Sequence, residues 1–151
     1  MLKSTARLVS TFFYIGEFPV APGTLASVAG VLIYIIVGGN LPLFLATTAV
    51  VTVLGFLFSG ITEKALNRKD PGCIVIDEVA GIMIAFFMLP LEWPVIITAF
   101  FLFRAFDMFK IYPVNKFESL GGSVGVMMDD LFAGLYTNVT MHIALRLAHL
   151  F

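Results

Sequence analysis

Two pairs of adjacent carboxylates carry the strongest chemical signal in this sequence. Asp77-Glu78 lies within Ile74-Val75-Ile76-Asp77-Glu78-Val79-Ala80-Gly81, and Asp129-Asp130 within Val126-Met127-Met128-Asp129-Asp130-Leu131-Phe132-Ala133-Gly134. Each pair is expected to open an apolar helix. The helix dipole favours acids at an N-terminus by about 0.3–1 kcal/mol each, so both pairs can be read as capping residues. Neighbouring acids also repel one another, and two such pairs in a chain with few charges suggest a bound cation. Hard oxygen ligands of this kind suit Mg²⁺, which takes a few carboxylates and keeps waters or phosphate oxygens. Spacing alone leaves both readings open.

A third group is Phe103-Arg104-Ala105-Phe106-Asp107-Met108-Phe109-Lys110. On a helix Arg104, Asp107 and Lys110 share one side, at i, i+3 and i+6. They form either an interfacial ladder with snorkelling cations or a phosphate clamp. In the second reading Arg104 offers a planar fork, Lys110 a point charge, and Asp107 a further metal ligand or base. Two Gly-rich segments could hold an anion. Pro19-Val20-Ala21-Pro22-Gly23-Thr24-Leu25-Ala26-Ser27 leads into an apolar run with Thr24 as a plausible N-cap. Gly121-Gly122-Ser123-Val124-Gly125 precedes the second acidic pair and could form a nest of amides. A turn plus a cap is the plainer reading of both.

The elements that must position these residues are membrane-like. Of 151 residues 60% are hydrophobic and 13% charged, with mean hydropathy +1.01, where a soluble domain is nearer half apolar and a quarter charged. One domain over 1–151 is expected, an all-α polytopic membrane bundle. Apolar runs at 25–37, 43–61, 79–89, 95–106 and 131–150 imply four to five transmembrane or re-entrant helices, with 79–106 the candidate re-entrant hairpin. Three runs are short for roughly 20 residues per span and must extend into flanking polar residues. Leu8–Ile15, preceded by Lys3 and Arg7, reads as a retained interfacial segment rather than a signal peptide. If each run spans once, Lys3, Arg7, Lys64, Arg68, Lys69, Arg104, Lys110 and Lys116 share one side. The positive-inside rule makes that side cytoplasmic. Nine of the ten acids follow, leaving Glu92 outside. The net charge of −1 offers no field for nucleic acid, and the single Cys73 cannot form an internal disulfide. His142 and His149, seven apart on the last run, read as packing residues.

Taken in order, four motifs resemble the phosphatidylglycerophosphatase A family of bacterial lipid phosphatases. They are Pro22-Gly23-Thr24 with Ser27; Ile74-Val75-x-Asp77-Glu78-x-x-Gly81; Phe103-Arg104-x-x-Asp107-x-x-Lys110; and Gly125-x-Met127-x-Asp129-Asp130-x-x-Ala133-Gly134. They cover most of the chain, from about residue 18 to 135. One departure is visible: Ile111 stands where the family commonly has proline after the motif lysine, while Pro113 keeps the next one.

The resemblance implies Mg²⁺-dependent hydrolysis of phosphatidylglycerophosphate to phosphatidylglycerol and phosphate at the cytoplasmic face of the bacterial inner membrane. It implies Asp77, Glu78, Asp129 and Asp130 as metal ligands, with Asp107 a fifth candidate. Asp77, Asp107, Asp129, Asp130, Arg104 and Lys110 would then be catalytic. Arg104 and Lys110, with Gly23, Thr24 and Ser27, would hold the phosphate and headgroup. The nucleophile is either a metal-activated water or Asp129 or Asp130. An ion-coupled transporter would need acids in mid-helix at broken half-helices; here they sit at the ends of apolar runs. A CDP-alcohol phosphotransferase would space its aspartates three or four apart, and a plain scaffold would leave the charge segregation unexplained.

Overall fold

A computed structural model describes residues 2–109 and 121–148, and among these every regular element is helical. The order is α1 (Leu2–Ser10), a 3₁₀ turn (Ile15–Glu17), α2 (Pro22–Val37), α3 (Leu41–Leu66), α4 (Ile76–Ala85), α5 (Trp93–Phe109) and α6 (Gly122–Ala148). The helix boundaries depart from the apolar runs for local reasons. Helix α2 starts at Pro22, whose preset φ suits the first turn, after Ala21 in the left-handed region at φ 46°. Thr24 is therefore inside the helix and is not its N-cap. Helix α3 begins where Asn40 accepts from the Leu43 N–H at 3.1 Å and ends at Asn67, φ 49°, a residue that tolerates that turn.

Two expectations for the second acidic pair are corrected. Helix α6 starts at Gly122, so Asp129-Asp130 sits in its interior and not at its N-terminus. Capping cannot explain that pair. The segment 121–125 is not a loop nest either: Ser123 Oγ accepts from the Gly60 N–H at 2.8 Å, which locks the start of α6 to α3.

Helix α4 lies at the centre. Its 10 residues extend about 15 Å, half the thickness of a bilayer core. It is covered by α2, α3, α5 and α6. Of the described helices α3 alone is long and apolar enough to cross a membrane. The apolar–polar arrangement is inverted at the outer face. Leu32, Ile36, Val53, Leu57, Phe101 and Ile143 are exposed, whereas Ser27, Ser59, Thr62, Asp77, Asp130 and Thr137 are buried. Helix α1 is tied in by Ser10, whose hydroxyl donates to Thr62 Oγ1 at 2.8 Å and whose carbonyl accepts from the Val75 N–H at 2.9 Å. That bond fixes the strand of chain entering α4, and with it Asp77.

Candidate active site

The site follows from one helix crossing. Gly81 of α4 and Gly134 of α6 face each other so closely that a Cβ on Gly81 would press on the Asp130 carbonyl, and one on Gly134 would collide with the Gly81 carbonyl. Small residues at such a crossing let two backbones touch. Each glycine follows an aspartate by four residues, one helical turn: Asp77 precedes Gly81 and Asp130 precedes Gly134. The crossing therefore carries both aspartates to the same place.

Glu78 joins them. The ligand atoms of Asp77, Glu78 and Asp130 lie within 4.8 Å of one another. Asp77 and Asp130 are buried and Glu78 is half-buried. One oxygen of each, Asp77 Oδ1, Glu78 Oε2 and Asp130 Oδ1, is buried without a hydrogen-bond partner among the described residues. Buried polar atoms are nearly always satisfied, and orphaned carboxylate oxygens that converge are costly unless a cation lies between them. Three hard oxygen donors fit Mg²⁺; no thiolate or imidazole belongs to the group.

Asp107 and Arg104 complete the cluster from α5. Arg104 Nη1 donates to Asp107 Oδ2 at 2.6 Å, with both side chains less than one-fifth exposed. The charge of Asp107 bears on both Asp130 and Glu78, and that of Arg104 on Glu78. The ion pair of Arg104 and Asp107 is thus present in the structure. The pair fixes the guanidinium at the edge of the cluster, beside Gly23. Asp129 is buried beside the three converging acids, and its Oδ1 accepts from the Asp130 N–H at 3.1 Å.

Helix α2 supplies the fourth wall. A Cβ on Gly23 would collide with Glu78 Oε1 and stand 3.6 Å from Arg104 Nη1. A side chain there would have to displace the Glu78 carboxylate, and the first turn of α2 borders both the acids and the cation. Thr24 is next in that turn and half-buried. Ser27 is fully buried, and its hydroxyl donates back to the Gly23 carbonyl at 2.9 Å. It holds the turn rather than facing outward. Lys110 lies outside the described residues. Residues from four helices, with Gly23, Asp77, Glu78, Arg104, Asp107 and Asp130 at the centre, are brought together. What the residue pattern did not reveal was the role of Gly81 and Gly134 as the crossing point; the repeated Asp-x-x-x-Gly spacing was its signal. His142 approaches the Phe87 carbonyl at 3.1 Å, far along α6 from the acids, and His149 lies outside the described residues.

Comparison with known proteins identifies the family. The family model described as phosphatidylglycerophosphatase A matches residues 8–145. A Bacteroides thetaiotaomicron protein described as a "putative phosphatidylinositol-3-phosphatase" is 40% identical, covering 91% of each chain. Proteins described as phosphatidylglycerophosphatase A from Haemophilus influenzae and Escherichia coli are 35% and 32% identical. The Haemophilus match covers 93% of this chain and 88% of its own, the Escherichia match 85% and 77%. No solved structure matches the chain. The chain belongs to the phosphatidylglycerophosphatase A family, and it is a phosphatase.

Proposed function

We propose that this protein removes the terminal phosphate of phosphatidylglycerophosphate, giving phosphatidylglycerol and inorganic phosphate, with Mg²⁺ held by Asp77, Glu78 and Asp130. The observation that carries the reading is the convergence of three buried carboxylates, each with an orphaned oxygen, beside a fixed arginine. Carboxylates alone would repel a phosphate monoester, so an acidic pocket that takes one requires a cation. Bound Mg²⁺ supplies positive charge to the phosphate oxygens and lowers the pKa of a coordinated water.

The chain's own residues do the rest. The Arg104 guanidinium, held by Asp107, donates to the equatorial phosphate oxygens, whose charge spreads in a loose transition state. Lys110, three residues on, adds a second cation. Gly23 lets the Glu78 carboxylate lie against the first turn of α2, beside Arg104, and Thr24 offers a hydroxyl at the rim. One carboxylate of the cluster takes the proton of the attacking water. Asp129 is the candidate for that base, since it adjoins the three acids without belonging to them. Its alternative role, with Asp130, is as a nucleophile that forms a phosphoaspartyl enzyme. Acid quenching with labelled substrate separates the routes: a covalent phosphoprotein contradicts the water mechanism.

A multi-pass position in the bacterial inner membrane, with the site at the cytoplasmic end, belongs to the same proposal. The exposed apolar faces of α2, α3, α5 and α6 exceed what a water-facing surface carries. Arg7, Lys64, Arg68 and Lys69 lie with the acids, while the turns at 38–40 and 86–92 hold no Lys or Arg. Helix α4 is too short to cross alone and fits a re-entrant segment packed inside protein. The substrate test measures phosphate release in detergent from phosphatidylglycerophosphate and, in parallel, phosphatidylinositol 3-phosphate. A clear preference for the first supports the proposal. Preference for the second moves this chain to the activity named for its Bacteroides relative.

A further inference from the structure

A lipid whose phosphate sits at Arg104 beside the acid cluster must pass its acyl chains out of the site sideways. One groove is placed for that. It lies between α2 and α5, encloses about 160 Å³, and is lined by Val28, Val31, Ile96, Ile97, Phe100 and Phe101. Its lining is wholly apolar, and Val28, Ile97 and Phe101 are 42%, 52% and 66% exposed, so it opens laterally.

Helical register joins this groove to the site. On α2, Thr24, Val28 and Val31 stand at i, i+4 and i+7, one face of the helix. On α5, Ile97, Phe101 and Arg104 repeat that spacing, and Ile96, Phe100 and Arg104 stand at i, i+4 and i+8. Helix α2 begins at the acidic end and α5 finishes there. Both walls of the groove therefore rise to site residues at the same end. At about 1.5 Å per residue, Phe100 is about 6 Å and Ile96 about 12 Å from the level of Arg104. The larger cavity near Phe44, Met83 and Asn138, about 280 Å³, lies at the opposite end of α4 and does not lead to the acids.

We infer that the α2–α5 groove seats an acyl chain of the phospholipid substrate and is its lateral entry to the site. The inference rests on the phosphatase reading of the acid cluster. Filling the groove with Val28→Trp is expected to lower kcat/KM for a dipalmitoyl substrate about tenfold relative to a dihexanoyl analogue, because only the long chain needs it. Val53→Trp, on the exposed face of α3, is expected to leave that ratio as in the wild type. An unchanged ratio in Val28→Trp, or the same change in both variants, overturns the inference.

A second measurement needs neither hydrolysis nor a tryptophan. A phosphomonoester phospholipid with a diazirine in its acyl chain is photolysed with the Asp130→Asn variant in detergent. Adducts on the 28–31 and 96–101 segments, displaced by excess unlabelled phosphatidylglycerophosphate, are expected. Adducts spread over the outer faces of α3 and α6, or undiminished by the competitor, overturn it. Displaceable groove labelling with a wild-type protein that releases no phosphate from any lipid would leave the groove standing and remove the phosphatase reading instead.

Discussion

The two ends of helix α4 bury polar groups for opposite purposes. At its C-terminal end the helix stops in mid-protein, leaving backbone carbonyls without partners. Side chains from other helices meet them or the turn beyond. Asn138 Nδ2 donates to the carbonyls of Ala85 and Phe87 at 3.1 and 2.7 Å, and the Tyr34 hydroxyl donates to the Leu89 carbonyl at 2.7 Å. The Tyr34 ring stacks on Phe86 with centroids 4.6 Å apart. At the N-terminal end the carboxylates of Asp77, Glu78 and Asp130 converge with one oxygen each unmet. One end is a satisfied structural joint, and the other leaves converging carboxylate oxygens unmet. A short buried helix needs the first in order to present the second.

Mutations should separate the two ends. The largest expected effect is from Asp77→Asn or Asp130→Asn, each lowering kcat for phosphate release at least about 10³-fold, the scale of losing a main electrostatic contributor. Their thermal unfolding without metal should be unchanged or higher, because each removes a repelling charge. Marked destabilisation of the metal-free variants would make these acids structural. Next comes Gly23→Ala, whose methyl group displaces Glu78. A shift near 1 Å at a reacting centre costs about 10²-fold, so a fall of that order in kcat is expected with expression retained. Wild-type kinetics would remove the first turn of α2 from the site.

The other end should show the reverse pattern. Asn138→Leu strands the Ala85 carbonyl and leaves the Phe87 carbonyl to His142 alone, and is expected to cost about 1–3 kcal/mol in stability. Turnover per folded molecule should stay within about twofold of wild type, since the acids keep the positions set by the Gly81–Gly134 crossing. Loss of turnover without loss of stability would mean that the two ends are coupled through α4. The smallest effect is at the surface: the Arg7–Glu17 pair is close, at 2.6 Å, but half open to solvent. Glu17→Gln should shift stability by less than about 1 kcal/mol and leave turnover unchanged.

Much of this division can be read from residue order. Apolar runs located α2, α3, α5 and most of α6, and pairs of acids in a chain poor in charge pointed to a site. Boundaries were harder because helices ignore the change from apolar to polar residues when tertiary contacts continue. Gly122–Gly125 reads as a loop by composition, yet the Ser123–Gly60 bond makes it the first turn of α6. That extension turns Asp129-Asp130 from apparent caps into interior residues. Convergence itself was hidden for a different reason. Residues 23, 77, 104 and 130 are distant in the chain; the close crossing at Gly81 and Gly134 makes 77 and 130 neighbours, and the packing of α2 on α4 and of α5 on α6 brings in 23 and 104. Asn138 carried no pattern at all, since its partners are backbone carbonyls created by the end of α4.

The role of the acidic end can be measured without any substrate. Mn²⁺, taking the place of Mg²⁺, is titrated into detergent-solubilised protein and followed by electron paramagnetic resonance. The wild type should show a saturable site, and Asp77→Asn should bind at least about tenfold more weakly, beyond the loss of an outer-shell partner. Equal Mn²⁺ binding by the two proteins, or none by the wild type, would contradict a metal held between Asp77, Glu78 and Asp130.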